Sequence, residues 1–353
     1  MPTQNASSLE RRAWPPALAL CGWSGSGKTT LIEGLLDALV SDGLKTAVVK
    51  HAFHPLDIEA GVKDGARFFA AGADAFAHDD AKGIVLCRRS GLGQRLLRFG
   101  RDYDLVLVEG HKGSDLEKVW LSGDTEESPP ENVRRVRAVL TGRERTVRRL
   151  RRVVDNFLLE RHRALPVWAA VLVGGAGRRM GQPKSGLRIG DEPLLARITR
   201  VAAACAEGVV LVGKGPVPEE CAERLRLPDA PGVEGPLAGL LSAMRWQPDA
   251  RWLALACDLP FVNERAIRWL LDRCGPGRPA VAPHREDPGL TEPLFAVYDP
   301  PAASLLEAGA RGGERSLRRI LASSRVFSPR IPADLQRAWT NVNTPADLRE
   351  ATA

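Results

Sequence analysis

The residues best suited to chemistry lie between Val171 and Leu187, where a glycine loop is followed by clustered cations. The residues concerned are Gly174, Gly175, Gly177, Arg178, Arg179 and Lys184. Glycines let backbone N–H groups approach phosphate oxygens, and the cations supply the positive charge that a triphosphate needs once water is displaced. The spacing matches neither GxxxxGK[ST] nor the dinucleotide motif GxGxxG. The stretch therefore predicts a nucleotide-triphosphate site of another kind.

A second glycine loop lies near the N-terminus and has the spacing GxxxxGK[ST] from Gly22 to Thr29. In that motif backbone amides surround the phosphates, the lysine (here Lys28) reaches the β- and γ-phosphates, and the hydroxyl of Thr29 binds Mg²⁺. Glu109 ends an apolar run further along the chain and is predicted to meet the metal or its water. An ordinary solvated carboxylate is the alternative for Glu109.

Each loop follows a short apolar run that predicts a buried strand, Ala17–Cys21 before the first loop and Ala169–Val173 before the second. Helical apolar spacing follows the first loop from Leu31 to Val40. Open α/β sheets bind ligands at the carboxyl ends of their strands, which is where both loops fall. The sequence therefore predicts the α/β class, with two three-layer α/β domains, the first of them P-loop NTPase-like.

The length of 353 residues suits two domains better than one core. An arginine-rich segment separates the two loops, and its apolar residues recur at helical spacing from Val147 to Leu158. We interpret it as the closing helix of the first domain, with a dock for an acidic partner or for phosphates as the alternative. Arg161–Pro166 is expected to be a short linker. The predicted domains are residues 15–163 and 166–353.

Two aspartates are the candidate acidic groups of the second domain. Asp258 follows the apolar run Leu253–Cys257, so its carboxylate should lie at the same sheet edge as the second glycine loop. Hard oxygen ligands of this kind bind Mg²⁺. Asp229 is predicted to contact the nucleotide. A Gly-Pro turn opens the predicted helix Leu237–Trp246 and should present free amides to an anion or a base.

Composition favours small phosphorylated ligands over nucleic acid. The formal charge of +7 and the pI near 9.3 suit anionic partners, but only 5% of the residues are aromatic, so bases would find few stacking platforms. The six cysteines form no CxxC pair and are expected to be free thiols in a reducing cytoplasm. No segment has the roughly 20 apolar residues of a membrane span, so we expect a cytoplasmic protein with no membrane partner.

The first half resembles a known family over roughly Ala17 to Leu159. The P-loop, together with the segment Asp104–Lys112, closely resembles the molybdopterin-guanine dinucleotide biosynthesis adaptor family, whose members are GTP-binding P-loop proteins. The resemblance implies GTP binding and weak or no hydrolysis. It transfers residue roles only to the P-loop and to Glu109.

The second half, from Trp168 to the C-terminus, resembles the molybdenum cofactor guanylyltransferases. The matching motifs are the glycine loop with Lys184, Gly235–Gly239, Asp258-Leu259-Pro260 and Asn341–Pro345. The resemblance implies a Rossmann-like nucleotidyltransferase domain that transfers GMP from GTP to molybdopterin, with molybdenum insertion proteins and molybdoenzyme maturation proteins as partners. Pro183 stands where the family often has Asp, and Gly213-Lys214-Gly215 lacks a common Asn, so one base or ribose contact is in doubt.

Site residues follow from the motifs and the resemblance together. Arg178, Lys184 and Asp258 are the predicted catalytic residues, and Asp258 and Thr29 are the predicted Mg²⁺ ligands. The predicted nucleotide-binding residues are Leu172, Val173, Gly174, Gly175, Lys184, Asp229, Asp258, Gly22, Gly25, Gly27, Lys28, Thr29, Thr30 and Glu109. The alternatives are a cytidylyl- or sugar-nucleotidyltransferase, and a P-loop GTPase switch or delivery module whose second half only binds.

Overall fold

The structure, a computed structural model, describes residues 15–50, 75–78, 83–86, 96, 102–123, 128–174, 184–322 and 325–352. The described chain divides into two compact units. Residues Ala17–Val40 and Thr46–Val154 form one unit, and Ser41–Lys45 with Asp155–Ala353 form the other.

The first unit contains a parallel sheet and the helix that follows the P-loop. Its strands are β1 (Ala17–Gly22), β2 (Thr46–Lys50), β3 (Ala75–His78), β4 (Gly83–Leu86), β5 (Leu105–Glu109), β6 (Glu117–Leu121) and β7 (Val136–Leu140). Five of them form a parallel sheet in the order β2-β5-β1-β6-β7, and β3 pairs antiparallel with β4. Helix α1 spans Lys28–Ser41.

The P-loop is positioned by a fully buried strand on one side and an amphipathic helix on the other. Every residue of β1 is buried, as expected for a central strand that is covered on both faces. Helix α1 buries Leu31, Ile32, Leu35 and Leu39, whose spacing forms one helical stripe. The loop between Gly22 and Lys28 therefore lies between two rigid elements, at the carboxyl edge of the sheet.

Helix α2 spans Val147–Arg163, so the prediction that Arg161–Pro166 is a linker was wrong over Arg161–Arg163. The helix continues because His162 is buried, with Nδ1 3.3 Å from Oδ2 of Asp299. Arg251 donates to both oxygens of the same carboxylate, at 2.6 and 2.9 Å. Although burial favours the neutral acid, the Arg251 guanidinium holds the pKa of Asp299 below its usual range.

The second unit contains a mixed sheet with helices on both faces. Its strands are β8 (Val167–Leu172), β9 (Arg188–Ile189), β10 (Glu192–Pro193), β11 (Gly208–Val212), β12 (Arg226–Leu227), β13 (Arg251–Ala256), β14 (Ala280–Val281) and β15 (Phe295–Tyr298). The main sheet has the order β12-β11-β8-β13-β15-β14, in which β14 and β15 run antiparallel to their neighbours. Its helices are α3 (Leu194–Ala203), α4 (Pro236–Trp246), α5 (Glu264–Leu271), α6 (Ala302–Arg311), α7 (Leu317–Leu321) and α8 (Pro345–Thr352).

Alternate residues of strand β8 face two different cores. Ala169 and Val171 pack in one cluster with residues of α3 and α5, whereas Ala170 and Leu172 pack in the other with residues of α4 and α6. This period of two is the normal consequence of strand geometry, and the two covered faces explain why the strand is almost continuously apolar. The unit is a three-layer α/β structure.

The structure confirms the predicted α/β class with parallel sheets. The elements differ from the predictions mainly at their ends: α1 begins at Lys28 rather than at Leu31, and α4 begins at Pro236 rather than at Leu237. No helix in the described ranges is long and apolar enough to cross a bilayer.

The buried ion cluster makes a stability prediction. Asp299→Asn should lower the free energy of unfolding by about 3 kcal/mol or more, because it leaves the buried Arg251 guanidinium without its counter-charge. The matched control is Glu307→Gln, since Arg245 also forks onto Glu307 but the pair is more exposed. That control should cost less than about 1 kcal/mol. Urea denaturation measures both, and equal losses would contradict the prediction.

Candidate active site

The carboxyl edge of the second sheet brings two predicted segments together. Strands β8 and β13 are parallel neighbours, with Ala256 paired to Leu172 in the register. The chain therefore leaves both strands at the same edge, which places Gly174 and Asp258 close together. Asp258 is only 6% exposed although it carries a carboxylate. A buried charge of this kind needs partners.

Two side chains donate hydrogen bonds to the Asp258 carboxylate, and one of them also contacts a third residue. Lys184 Nζ donates to Oδ2 of Asp258 at 2.6 Å, and Asn341 Nδ2 donates to Oδ1 at 2.9 Å. Lys184 Nζ also donates to Oδ1 of Asn343 at 2.7 Å. We call these four residues the edge network. It joins the predicted catalytic pair Lys184 and Asp258 to two asparagines from the C-terminal region.

The asparagines are held in place by backbone hydrogen bonds on either side. Val342 is buried, and its N–H donates to the main-chain oxygen of Asp258 at 2.9 Å. The N–H groups of Asn343 and Thr344 donate to Oδ2 of Asp347 at the start of α8. The hydrogen bond from the Asn343 N–H contributes most to lowering the pKa of the Asp347 carboxyl. Sequence reasoning noted this motif as part of a resemblance but gave neither asparagine a role.

A cavity of about 560 Å³ lies beside the edge network. Predicted site residues line it: Leu172, Val173, Gly174, Lys184, Asp229 and Asp258. Gly235 and Pro236 also line it, and they precede and open helix α4, where free N–H groups attract anions. The structure thus collects these predicted residues around one space that is large enough for a nucleotide.

One wall of this cavity is the loop Gly213-Lys214-Gly215, which a guanidinium holds. Arg226 Nε and Nη2 donate to the oxygen of Gly213 at 3.0 and 2.8 Å, and Nη2 donates to that of Gly215 at 2.7 Å. Gly213 has a φ of +111°, and a Cβ there would lie 2.6 Å from the oxygen of Val173. The loop therefore requires glycine at 213, and it exposes Lys214 at the cavity. Sequence reasoning missed Arg226, which no motif marks.

A second cavity of about 330 Å³ neighbours the first, since Leu294 lines both. Asn341 and Asn343 line it together with Glu292 and Arg318. Burial raises the pKa of the Glu292 carboxyl, and the positive charge of Arg318, 3.7 Å away, opposes that shift. The edge network thus contributes residues to both of these cavities.

The P-loop of the first unit holds its lysine within the loop itself. Lys28 Nζ donates to the main-chain oxygen of Trp23 at 2.6 Å and to Ser26 Oγ at 3.2 Å. Thr29 Oγ1 donates to Oε1 of Glu109 at 2.9 Å, so the structure brings the predicted metal-binding hydroxyl and acid together. Thr30, Gly25 and Gly27 lie in or beside the same loop, and both glycines have φ near +80°.

Four predicted residues lie outside the described residues. They are Gly175, Gly177, Arg178 and Arg179, which fall in the range 175–183. The roles given to them remain predictions.

The carboxyl edges of both sheets have oxygen ligands that suit Mg²⁺. The described part of the chain holds no cluster of three or more His, Cys, Asp or Glu side chains that could bind a metal ion. Mg²⁺ commonly uses only one or two carboxylates and takes its other ligands from substrate phosphates and water. The Asp258 carboxylate with the amide oxygen of Asn343 fits that donor set. The Thr29 hydroxyl with Glu109 fits it in the first unit.

Comparisons with known proteins divide the chain in the same way. Residues 17–142 match the family model of Molybdopterin guanine dinucleotide synthesis protein B, and residues 169–327 match that of the MobA-like NTP transferase domain. A probable molybdenum cofactor guanylyltransferase of Pelotomaculum thermopropionicum is 32% identical over 195 residues, which are 53% of this chain and 92% of that protein. A molybdenum cofactor guanylyltransferase of Rhizobium meliloti is 35% identical over 52% of this chain and 90% of its own length.

A third relative is a molybdenum cofactor biosynthesis bifunctional protein of Synechocystis, which is 28% identical over 52% of each chain. The second half of the chain, with its glycine loop and its aspartate at the neighbouring strand end, is a nucleotidyltransferase. The chain belongs to the molybdenum cofactor guanylyltransferase family, and it joins that domain to a MobB domain.

The Arg226 contacts make a prediction about nucleotide affinity. Arg226→Met should raise KM for the nucleotide about 10-fold and change kcat little, because the loop loses charge-assisted hydrogen bonds of about 1.5–3 kcal/mol but no reacting group. The control is Arg224→Met, since Arg224 is an exposed arginine two positions away. Initial rates of pyrophosphate release measure both variants. A fall in kcat with KM unchanged would contradict the prediction.

Proposed function

We propose that the second domain transfers GMP from GTP to the terminal phosphate of molybdopterin, giving the guanine dinucleotide form of the cofactor and pyrophosphate. The observation that supports this most strongly is the edge network, whose residues line both a nucleotide-sized cavity and a second cavity. A transfer reaction needs two substrates that meet at one point. Lys184 and Asp258 line the first cavity, and Asn341 and Asn343 line the second.

The chemistry requires positioning and charge neutralisation rather than a side-chain nucleophile. An oxygen of the molybdopterin phosphate attacks the α-phosphorus of GTP, a new P–O–P bond forms, and the bond to the β-phosphate oxygen breaks to release pyrophosphate. Both reactants are anions, so the Lys184 ammonium stabilises the approach and the developing charge. Arg178 is proposed to stabilise the departing pyrophosphate. When bound at Asp258, Mg²⁺ would add further neutralisation of phosphate charge.

The 560 Å³ cavity is proposed to hold GTP. The carboxylate of Asp229 suits the N–H groups of a guanine edge, and the N-terminus of α4 suits a phosphate. The 330 Å³ cavity is proposed to receive molybdopterin. The pterin ring also has N–H groups, which would donate hydrogen bonds to the Glu292 carboxylate. Arg318 would supply a donor to the terminal phosphate.

The first domain is proposed to bind GTP at its P-loop as an adaptor for the transferase. We place the two domains at residues 15–163 and 166–353, each with its own nucleotide site. Molybdenum insertion proteins and molybdoenzyme maturation proteins are the proposed partners, and the cytoplasm is the proposed location.

A substrate screen tests the function. The protein is incubated with Mg²⁺, molybdopterin and each of the four nucleoside triphosphates, and pyrophosphate release is measured. We expect release with GTP that depends on molybdopterin. Release with CTP instead would favour a cytidylyltransferase, and release that depends on a sugar phosphate instead of molybdopterin would contradict the acceptor.

Asp258 makes the sharpest mutational prediction within this function. Asp258→Asn keeps the shape of the side chain but removes its charge, so it should weaken Mg²⁺ binding and lower the rate of pyrophosphate release on the order of 10²-fold or more. The measurement is the rate across a Mg²⁺ titration. Nucleotide binding to the P-loop should not change.

The matched control is Asp334→Asn, because Asp334 is an exposed aspartate that pairs with Arg265. It should leave the rate within about twofold, as expected for a surface pair. Near-normal turnover of Asp258→Asn at low Mg²⁺ would mean that another acid, with Asp229 as the first candidate, holds the metal.

A further inference from the structure

Lys112 lies next to the P-loop although it is far from it in sequence. Its Nζ is 4.2 Å from the ring centroid of Trp23, the residue that follows Gly22 in the loop, and 5.2 Å from that of Trp120. The two tryptophan rings meet edge to face, with their centroids 5.8 Å apart. An ammonium over aromatic faces is attracted by the electron-rich faces of the rings, which holds it in place. The two rings therefore hold a cation at the P-loop.

The backbone before Lys112 is shaped to deliver it there. Gly110 and His111 both have positive φ, 89° and 56°, and for a residue with a side chain such as His111 this conformation is uncommon and costs free energy. The Gly110 N–H donates to the oxygen of Leu20, and Cys21 Sγ donates to the oxygen of Gly110, each at 2.9 Å. The segment after Glu109 is thus tied to the strand that leads into the P-loop.

The charge of Lys112 acts on the P-loop lysine. Lys28 Nζ donates to the main-chain oxygen of Trp23 at 2.6 Å, and Lys112 lies over the ring of the same residue, so the two charges lie close together. Lys50 lies 3.6 Å from a Glu109 oxygen, so its charge has a partner. No ion pair within the described ranges involves Lys112. Lys112 therefore adds a positive charge beside that of Lys28, and among the described residues it is held by aromatic rings rather than by a carboxylate.

An anion at this position would balance that charge. A nucleoside triphosphate carries its extra negative charge on the terminal phosphate, which in P-loop proteins lies near the lysine of the motif. We propose that Lys112 is a second phosphate-binding cation of this P-loop, which binds the terminal phosphate and makes the site prefer a triphosphate to a diphosphate. This inference rests on the proposed nucleotide binding at the P-loop.

The test compares GTP with GDP on the full chain by isothermal titration in Mg²⁺. The P-loop isotherm is identified as the one that Lys28→Met removes. Lys112→Met should raise the Kd for GTP at this site about 10-fold, which is the scale of one charge-assisted hydrogen bond, and should change the Kd for GDP less than about twofold. Lys112→Arg keeps the charge and should restore most of the preference for GTP.

Two results would overturn the inference while leaving nucleotide binding intact. One is an equal loss of GTP and GDP affinity in Lys112→Met, which would mean that the lysine only supports the tryptophans and the loop. The other is no change for either nucleotide. If Lys28→Met removes no isotherm from the wild-type titration, the P-loop binds no nucleotide, and the proposed role of the first domain fails together with the inference.

Discussion

The carboxylate of Asp258 is a charge buried at the edge of a sheet. Hydrogen bonds from distant segments of the second domain compensate its lost hydration. An isolated buried carboxylate would lose its hydration without compensation. Here both oxygens have donors, an ammonium on one and an amide on the other. These donors come from the segment after the glycine loop and from the segment before the last helix. Remote parts of the chain must therefore fold together before the charge is stable.

The two proposed nucleotide sites hold their lysines in different ways. In the P-loop, Lys28 Nζ donates to the main-chain oxygen of Trp23 and to Ser26 Oγ, both within the loop itself. In the second domain Lys184 instead rests on a carboxylate and an amide. The pairing keeps Lys184 beside Asp258, where we propose that transfer occurs, whereas Lys28 stays within its own loop. That difference is consistent with a transfer site in the second domain and a binding site in the first.

Local sequence patterns predict part of the fold and part of the candidate site. The buried strands, the two glycine loops and Asp258 follow from apolar runs and from the rule that ligands bind at the carboxyl ends of parallel strands. The contacts of Asn341 with Asp258 and of Arg226 with Gly213 could not be predicted in this way, because they join residues that are distant in sequence or that carry no motif. The end of helix α2 was missed for the same reason, since its His162 is stabilised by Asp299.

We propose that transfer occurs at Lys184 and not at the P-loop. The most direct test is to quantify the guanylylated product by mass spectrometry after mixing molybdopterin, GTP and Mg²⁺ with either of two matched variants. Lys184→Met should lose about 10²-fold or more in product formation, because a cation that stabilises the reacting phosphates is gone. Lys28→Met should stay within a few-fold of the wild type. A large loss of product in Lys28→Met with normal product formation in Lys184→Met would contradict a transfer site at Lys184.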